Sequence, residues 1–309
     1  MQNPILSMVI PVYNEQGNLP ELYERLVNVL RNDLQVTYEI ILVDDGSQDN
    51  SWEIIENLHK ENSNIKGIKF SRNFGHQYAL KAGIDSSKGD AVATMDSDLQ
   101  HPPELTAALY EKWREGYKVV QAIRKDTEGV SIFKSFTSRI FYKIINFLSD
   151  IKFNPGASDF SMLDRQVVEE LKKIHEGHLF LRGIIPWLGF NKVNIEYVAT
   201  NRFSGETKYT VKKMLEFAVN GIMAFSVKPL RLSILAGLIV SLITFLYIMY
   251  AIIVHLIYKI TLPGWTSILI SVLFLGGIQL ISIGILGEYL GKLFIENKKR
   301  DNYIISKTI

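Results

Sequence analysis

The stretch "AVATMDSDLQHPPE", residues 91–104, decides how the first two thirds of the chain is read. Ala91 to Met95 is an apolar run, short enough for a buried strand and too short for a helix of ordinary length. It ends on Asp96 and Asp98, with Gln100 just beyond and Pro102 and Pro103 stiffening the next turn. Two carboxylates at the end of a strand are either part of a polar loop or the oxygen-rich edge of a site. The flanking sequence chooses between these.

Working outward, the same grammar repeats. Leu6 to Pro11 is a short apolar run, followed by Leu19 to Leu30 with Leu22, Leu26, Val29 and Leu30 at helical spacing. Tyr38 to Val43 reads as a strand and Ser51 to His59 as a helix. Ile65 to Phe70 is a strand again, then Tyr78 to Ile84 a helix. Beyond the opening stretch, Leu105 to Glu115 is helical and Val119 to Ile123 a strand. Nearly continuous apolar strands alternating with helices predict an α/β fold, a mostly parallel sheet covered on both faces. Ligands bind such sheets at the carboxyl ends of the strands. The polar clusters fall there: Tyr13-Asn14-Glu15, Asp44-Asp45, Ser71-Arg72-Asn73 and Asp96-Ser97-Asp98. Four clusters at successive strand ends argue for a site rather than for one polar loop.

The formal net charge of +2 over 309 residues gives no global case for nucleic acid as a partner. The absence of cysteine excludes disulfides and thiolate metal sites. No basic n-region precedes the first strand, so the sequence reads as lacking a signal peptide.

After Arg231 the composition changes. Neither Leu232 to Val254 nor Trp265 to Leu286 contains a charged residue. Each exceeds the ~20 apolar residues that cross a ~30 Å hydrocarbon core. The flanks are basic: Lys208, Lys212, Lys213, Lys228 and Arg231 before the pair, and Lys292, Lys298, Lys299 and Arg300 after it. The positive-inside rule then puts both flanks and the N-terminal domain in the cytoplasm, with Trp265 as an interfacial aromatic. Two basic stretches carry apolar stripes, Val130 to Leu148 and Tyr209 to Phe225. The first fits a core-packed helix and a surface-lying helix equally; the second abuts a span and reads as lying in the membrane interface.

Asp96 and Asp98 supply hard oxygen ligands, and Gln100 a third, a set that suits Mg²⁺ or Mn²⁺ beside substrate phosphate. There is no G-x-G-x-x-G after the first strand and no G-x-x-x-x-G-K-[ST], which argues against dinucleotide enzymes and P-loop NTPases. Pyrophosphate charge would then fall to a metal and to basic side chains, for which Arg124, Arg202 and Lys208 are candidates.

"VIPVYNE" (residues 9–15), "VDDGSQD" (43–49), "MDSDLQHPPE" (95–104) and "NRFSGETKY" (201–209) resemble the family 2 glycosyltransferases, and more narrowly the polyprenyl-phosphate glycosyltransferases. "LGEYLGKLFIENKKRDNY" (286–303) is similar to the bacterial, bactoprenol glucosyltransferase branch rather than to the dolichol-phosphate mannose synthases. The resemblance implies a GT-A type sheet and a division of the chain. Residues 1–208 would be the cytoplasmic catalytic domain, 209–229 an amphipathic interface helix, 230–290 two transmembrane helices and 291–309 a cytoplasmic tail. It further implies that Pro11, Tyr13, Glu15, Val43 and Asp45 hold the nucleoside, and that Asp96 and Ser97 contact ribose and diphosphate. Asp98, with Gln100 and Asp96, would hold the divalent ion. Arg124, Arg202 and Lys208 would meet the diphosphate or the acceptor phosphate.

The implied reaction is inverting transfer of a sugar from a nucleotide donor to a polyprenyl phosphate at the inner membrane. Both termini would be cytoplasmic, and relatives suggest a homo-oligomer. UDP-glucose is the implied donor, with GDP-mannose or another UDP-sugar as the alternative and a non-catalytic nucleotide-binding scaffold as a third reading. Asp159, in "GASDFSMLDR" (156–165), matches a carboxylate proposed as base in some relatives, which pairs it with Asp98 as a catalytic residue. A positioning role for Asp159 is equally open. "HLFLRGIIPW" (178–187) lacks the Q-x-x-R-W pattern of processive polysaccharide synthases, and two spans are too few for their channel.

Overall fold

Period-two burial along the first strand sets the architecture. In β1 (Leu6–Val12), Leu6, Met8, Ile10 and Val12 enter one apolar cluster and Val9 enters the other, on the opposite face of the sheet. The computed structural model describes residues 5–125, 143, 146–148, 156–177, 179–198, 226–258, 264–298 and 300–309. Arg202, Lys208, most of the first amphipathic stretch and all of the second lie outside the described residues.

The strands β2 (Tyr38–Asp44), β3 (Ile65–Phe70) and β4 (Ala91–Thr94) run parallel to β1. They are joined through α1 (Leu19–Asn28), α2 (Ser51–Glu61) and α3 (His76–Ser86). Next come α4 (Leu105–Arg114), β5 (Val119–Lys125), β6 (Ala157–Asp164), α5 (Arg165–Lys172), α6 (Leu181–Trp187) and β7 (Lys192–Val198). Two long helices, α7 (Lys228–Tyr258) and α8 (Trp265–Asn297), precede β8 (Ile305–Thr308). Among the described residues the sheet has the order β7-β5-β6-β4-β1-β2-β3-β8. β6 is antiparallel to β4 and β5, and β8 is antiparallel to β3. All other pairs are parallel, as the apolar strand code predicts.

Helices cover both faces. Leu19, Leu22 and Leu26 of α1, Trp52, Ile55 and Leu58 of α2, and Leu109 of α4 close one cluster. Ala79, Leu80 and Ile84 of α3, Val167 and Leu171 of α5, and Ile184 of α6 close the other. Phe160 is fully buried, so its truncation to Ala is expected to cost about 3–5 kcal/mol.

Two features depart from the sequence reading. The segment 291–309, read as a tail, contributes β8 to the sheet edge. The polar run around Asp159 is an internal strand, β6. In α7, Lys228–Val254, and in α8, Phe274–Asn297, are long and apolar enough to cross a membrane, and neither apolar window is buried.

Candidate functional site

Because β1 to β4 are parallel, their carboxyl ends share one edge, and the loops that follow them are laced together. Asn14 donates its backbone N–H to Ser47 Oγ (3.0 Å), and Gln48 returns one to Asn14 Oδ1 (2.8 Å). Glu15 N–H donates to Ser51 Oγ at 3.0 Å, and Asn18 Nδ2 donates to Glu15 Oε2 at 2.5 Å. Asp45 binds the third loop, accepting from the backbone N–H of Phe74 (2.7 Å) and Gly75 (3.0 Å). Burial pushes the Asp45 carboxyl above its ordinary range, and those N–H donors oppose the shift. Gly46 makes this lacing feasible. Its φ is +71°, and a Cβ there would stand 2.5 Å from the Arg72 carbonyl carbon. Tyr13 and Glu15 are half-buried at this edge. Val43 is different: it is fully buried against Gly83 beneath α3, inside a strand paired on both sides. Pro11 is likewise buried in β1.

The Asp96 turn lies at the next strand end. Leu99 takes φ +60°, an uncommon conformation for a bulky residue. Asp98 Oδ1 accepts the Gln100 N–H at 3.1 Å, and His101 Nδ1 accepts the Asp96 N–H at 3.2 Å. His101 is braced beneath by Phe160, with ring centroids 5.3 Å apart. Ser97 is buried, while Asp96, Asp98 and Gln100 are half-exposed.

Antiparallel β6 starts at this same edge, and that is how it delivers Asp159. Thr94 Oγ1 donates to the Asp159 carbonyl at 2.5 Å, pinning the two strands. The Asp159 carboxylate, 4% exposed, is gripped by three side chains from two helices. Arg182 of α6 donates from Nε and Nη2 at 2.7 and 2.8 Å, a bidentate fork. His76 Nε2 and Gln77 Nε2, from the start of α3, stand 3.1 and 3.2 Å from Oδ2. Burial acts to raise the Asp159 pKa, but Arg182 and His76 outweigh it and hold the carboxyl far below its usual range. Desolvation likewise opposes charge on His76, yet Asp96 and then Asp159 raise its pKa above the ordinary value.

His76, Asp96 and Asp159 each place a ligand-capable atom within 4.8 Å of the others. Asp98 is not in that group. Asp96 Oδ1 is buried and accepts no hydrogen bond, with His76 Nε2 3.3 Å away. That oxygen fits a hard divalent cation. The Asp159 oxygens are already engaged by Arg182, His76 and Gln77, so Asp159 fits such an ion poorly. Tyr197, buried near the end of β7, shows what faces the turn. Its hydroxyl is pushed up first by burial and also by Asp96 and Asp98, while Ser158 and Arg124 oppose the shift. Tyr197 lies opposite Arg124 in the β5–β7 pair and meets the His101 ring edge-on at 5.9 Å, which sets Arg124 beside the turn that His101 holds through the Asp96 N–H. Gly156 permits the strand entry behind Arg124: at φ +77° it accepts the Arg124 N–H (2.9 Å), where a Cβ would meet Arg124 O at 2.4 Å.

His76, Gln77, Arg182 and Tyr197 were missed by sequence reasoning. Tyr197 sits on a strand that alternates with exposed polar residues and gives no signal of its own. Arg182 lies in a stretch read only for the pattern it lacks.

The sheet with its covering helices is of GT-A type. The glycosyl transferase family 2 profile matches residues 7–172, and that of the GtrB C-terminal hairpin matches residues 228–293. The chain belongs to glycosyl transferase family 2. It is 42% identical over 301 residues to an uncharacterized glycosyltransferase, sll0501, of Synechocystis, covering 97% of this chain and 94% of that one. It is 40% identical over 303 residues to the bactoprenol glucosyl transferase of Shigella phage SfII, covering 98% of each. Among solved structures, glucosyl-3-phosphoglycerate synthase from Mycobacterium tuberculosis is similar at TM-score 0.47 and 16% identity, covering 71% of this chain and 78% of that one.

Proposed function

We propose that this glycosyltransferase moves a sugar, glucose from UDP-glucose, onto a polyprenyl phosphate at the cytoplasmic face of the inner membrane, with inversion and with Mg²⁺ or Mn²⁺. The observation that carries the reading is the Asp96–Gln100 turn at the carboxyl edge of the sheet, with Arg124 alongside it through Tyr197 and His101, in a chain that continues into two membrane-length apolar helices. The full-length likeness to proteins named bactoprenol glucosyl transferase supports the lipid acceptor and the sugar. The basic flanks support the cytoplasmic orientation of the domain.

In this reading Asp96 and Asp98, with Gln100, hold the cation, which supplies charge stabilisation to the leaving diphosphate. Arg124 stands beside that turn and shares that load, joined by Arg202 and Lys208. Tyr13, Glu15 and Asp45 line the nucleoside side, with Pro11 and Val43 in the strands that lead to them, and Ser97 lies against ribose. The nucleophile is an acceptor phosphate oxygen. It is anionic near neutral pH and needs no strong base. Attack opposite the leaving group is then a matter of alignment. Asp159 suits alignment better than proton transfer, because both its oxygens are taken and its pKa is far below neutrality. The acceptor tail is apolar, which accounts for the two spans.

The test is transfer by purified full-length protein from a panel of radiolabelled nucleotide sugars to undecaprenyl phosphate with Mg²⁺ or Mn²⁺. Label entering the lipid phase from UDP-glucose, and lost with EDTA, is the expected result. Transfer from GDP-mannose alone overturns the donor, and no transfer from any donor overturns the reaction.

A further inference from the structure

The segment after α8 is short and densely tied. Only residues 298–304 separate the end of α8 from β8. β8 pairs Thr308 with Ile68, Lys307 with Lys69 and Ile305 with Phe70. Main-chain bonds extend the ladder at both ends, between Ile309 and Gly67 (2.9 and 3.1 Å) and from Ser71 N–H to Ile304 O (3.0 Å). Gly67 makes room for this, since a Cβ there would lie 2.8 Å from Ile309 Cγ1.

From this ladder two lines of contact lead to the site. Tyr303 stacks on Phe70 (5.0 Å between centroids, 17° between planes), and Phe70 meets Phe74 edge-on at 5.7 Å. Phe74 is the residue whose N–H binds Asp45. Tyr303 also donates its hydroxyl to Asp85 at 3.3 Å, and burial beside Asp85 pushes that hydroxyl up to about 12, so it stays a donor. On the second line, Asn302 Nδ2 donates to Glu176 O at 3.0 Å, next to Gly177, whose carbonyl accepts from Tyr78 at 2.6 Å. The chain from Gly177 leads into α6, where Leu181 N–H donates to Gln77 (3.0 Å) and Arg182 grips Asp159. The end of α8 leans on the same place, with Glu296 Cγ 3.5 Å from where a Gly177 Cβ would be.

We propose that Asn302–Ile309 is a positioning strap: it holds both walls of the site, the Arg72–Gly75 loop and the loop leading into α6, and so ties site geometry to the apolar hairpin. A bare anchor would be indifferent to the aromatic stack and to the Glu176 carbonyl. This strap makes both contacts before its strand pairs.

Hydrogen exchange on the full chain in detergent tests this without relying on any activity. Tyr303→Ala is expected to speed exchange of the Phe74 and Gly75 amides about tenfold or more, with β1 and β2 unchanged. Tyr303→Phe keeps the stack and is expected to stay within about threefold of the parent. Unchanged exchange at Phe74 and Gly75 in Tyr303→Ala overturns the strap. If that variant instead loses protection in β1 and β2, Asn302→Ala decides. An increase of about threefold or more at Leu181 and Arg182 supports the proposal, and no change there overturns it. The kinetic corollary rests on the reading in the previous section: Tyr303→Ala raises the KM for UDP-glucose about tenfold and lowers kcat less than threefold. Failure of transfer in the parent enzyme would remove that corollary and leave the exchange result standing.

Discussion

Two halves of one sheet edge are built by different forces. After β1, β2 and β3 the loops are joined mainly by backbone N–H groups donating to Ser47, Ser51, Asn14 and Asp45. After β4 and at the start of β6, the geometry is held by charged side chains: Arg182, His76 and Asp159, with Asp96 alongside. The lacing depends mainly on backbone conformation, with the Asp45 carboxylate as its charged acceptor on the third loop. A charged corner depends on every partner staying in its ionisation state, and loss of one partner strands the others in a poorly solvated place. Under the proposed function, the half assigned to the nucleoside would gain from the first design, and the half assigned to the transferring charge from the second.

The comparison breaks most readily at Arg182. Arg182→Met leaves Asp159 buried with only His76 and Gln77, and is expected to cost about 3 kcal/mol in urea unfolding. A cost under about 1 kcal/mol would mean that the corner is not held by charge. Gly46→Ala probes the laced half. Positive φ and collision with the Arg72 main chain together predict a loss of about 2 kcal/mol, again by denaturant titration. If the added methyl were tolerated, the lacing would be looser than the hydrogen bonds imply.

pH sharpens the contrast further. The folded-state pKa of His76 is raised, so the stability it contributes is complete below the unfolded value of about 6.5 and falls as pH rises through the folded value. His76→Gln should flatten the stability profile over that rise by about 1 kcal/mol or less, read from melts of metal-free protein. A parent profile already flat there would refute the charged state of His76. The smallest effect on folding belongs to Asp98→Ala. Its half-exposed side chain predicts a stability change within about 0.5 kcal/mol, alongside a fall in turnover of about 100-fold or more. Full activity in that variant would remove Asp98 from the cation site.

The laced half was legible because its strands are mostly apolar and the polar residues that join its loops stand at the strand ends. Leu6, Ile41 and Ile68 announce buried parallel strands, and Asp45 stands at their carboxyl edge. The charged corner was harder to read. β6 carries Ser158, Asp159 and Ser161 inside a strand, so it does not look apolar, and the partners of Asp159 are 23 to 83 residues away in sequence. β8 was invisible for a different reason: four exposed residues, Ile-Ser-Lys-Thr, carry no burial pattern, and only pairing with β3 defines them. Arg182 and His76 needed the fold, because nothing in their local sequence distinguishes the partner of a buried carboxylate from a solvated charge.

The position of β8 also bears on biosynthesis. Domains emerge from the ribosome N-terminus first. The edge of β3 therefore stays uncovered until both apolar helices have been made and the segment beyond them has been released. An uncovered strand edge invites pairing with other chains. Synthesis of the apolar hairpin and completion of the sheet are thus consecutive events, and a nascent domain stalled before residue 305 would carry the open β3 edge that β8 covers in the finished protein.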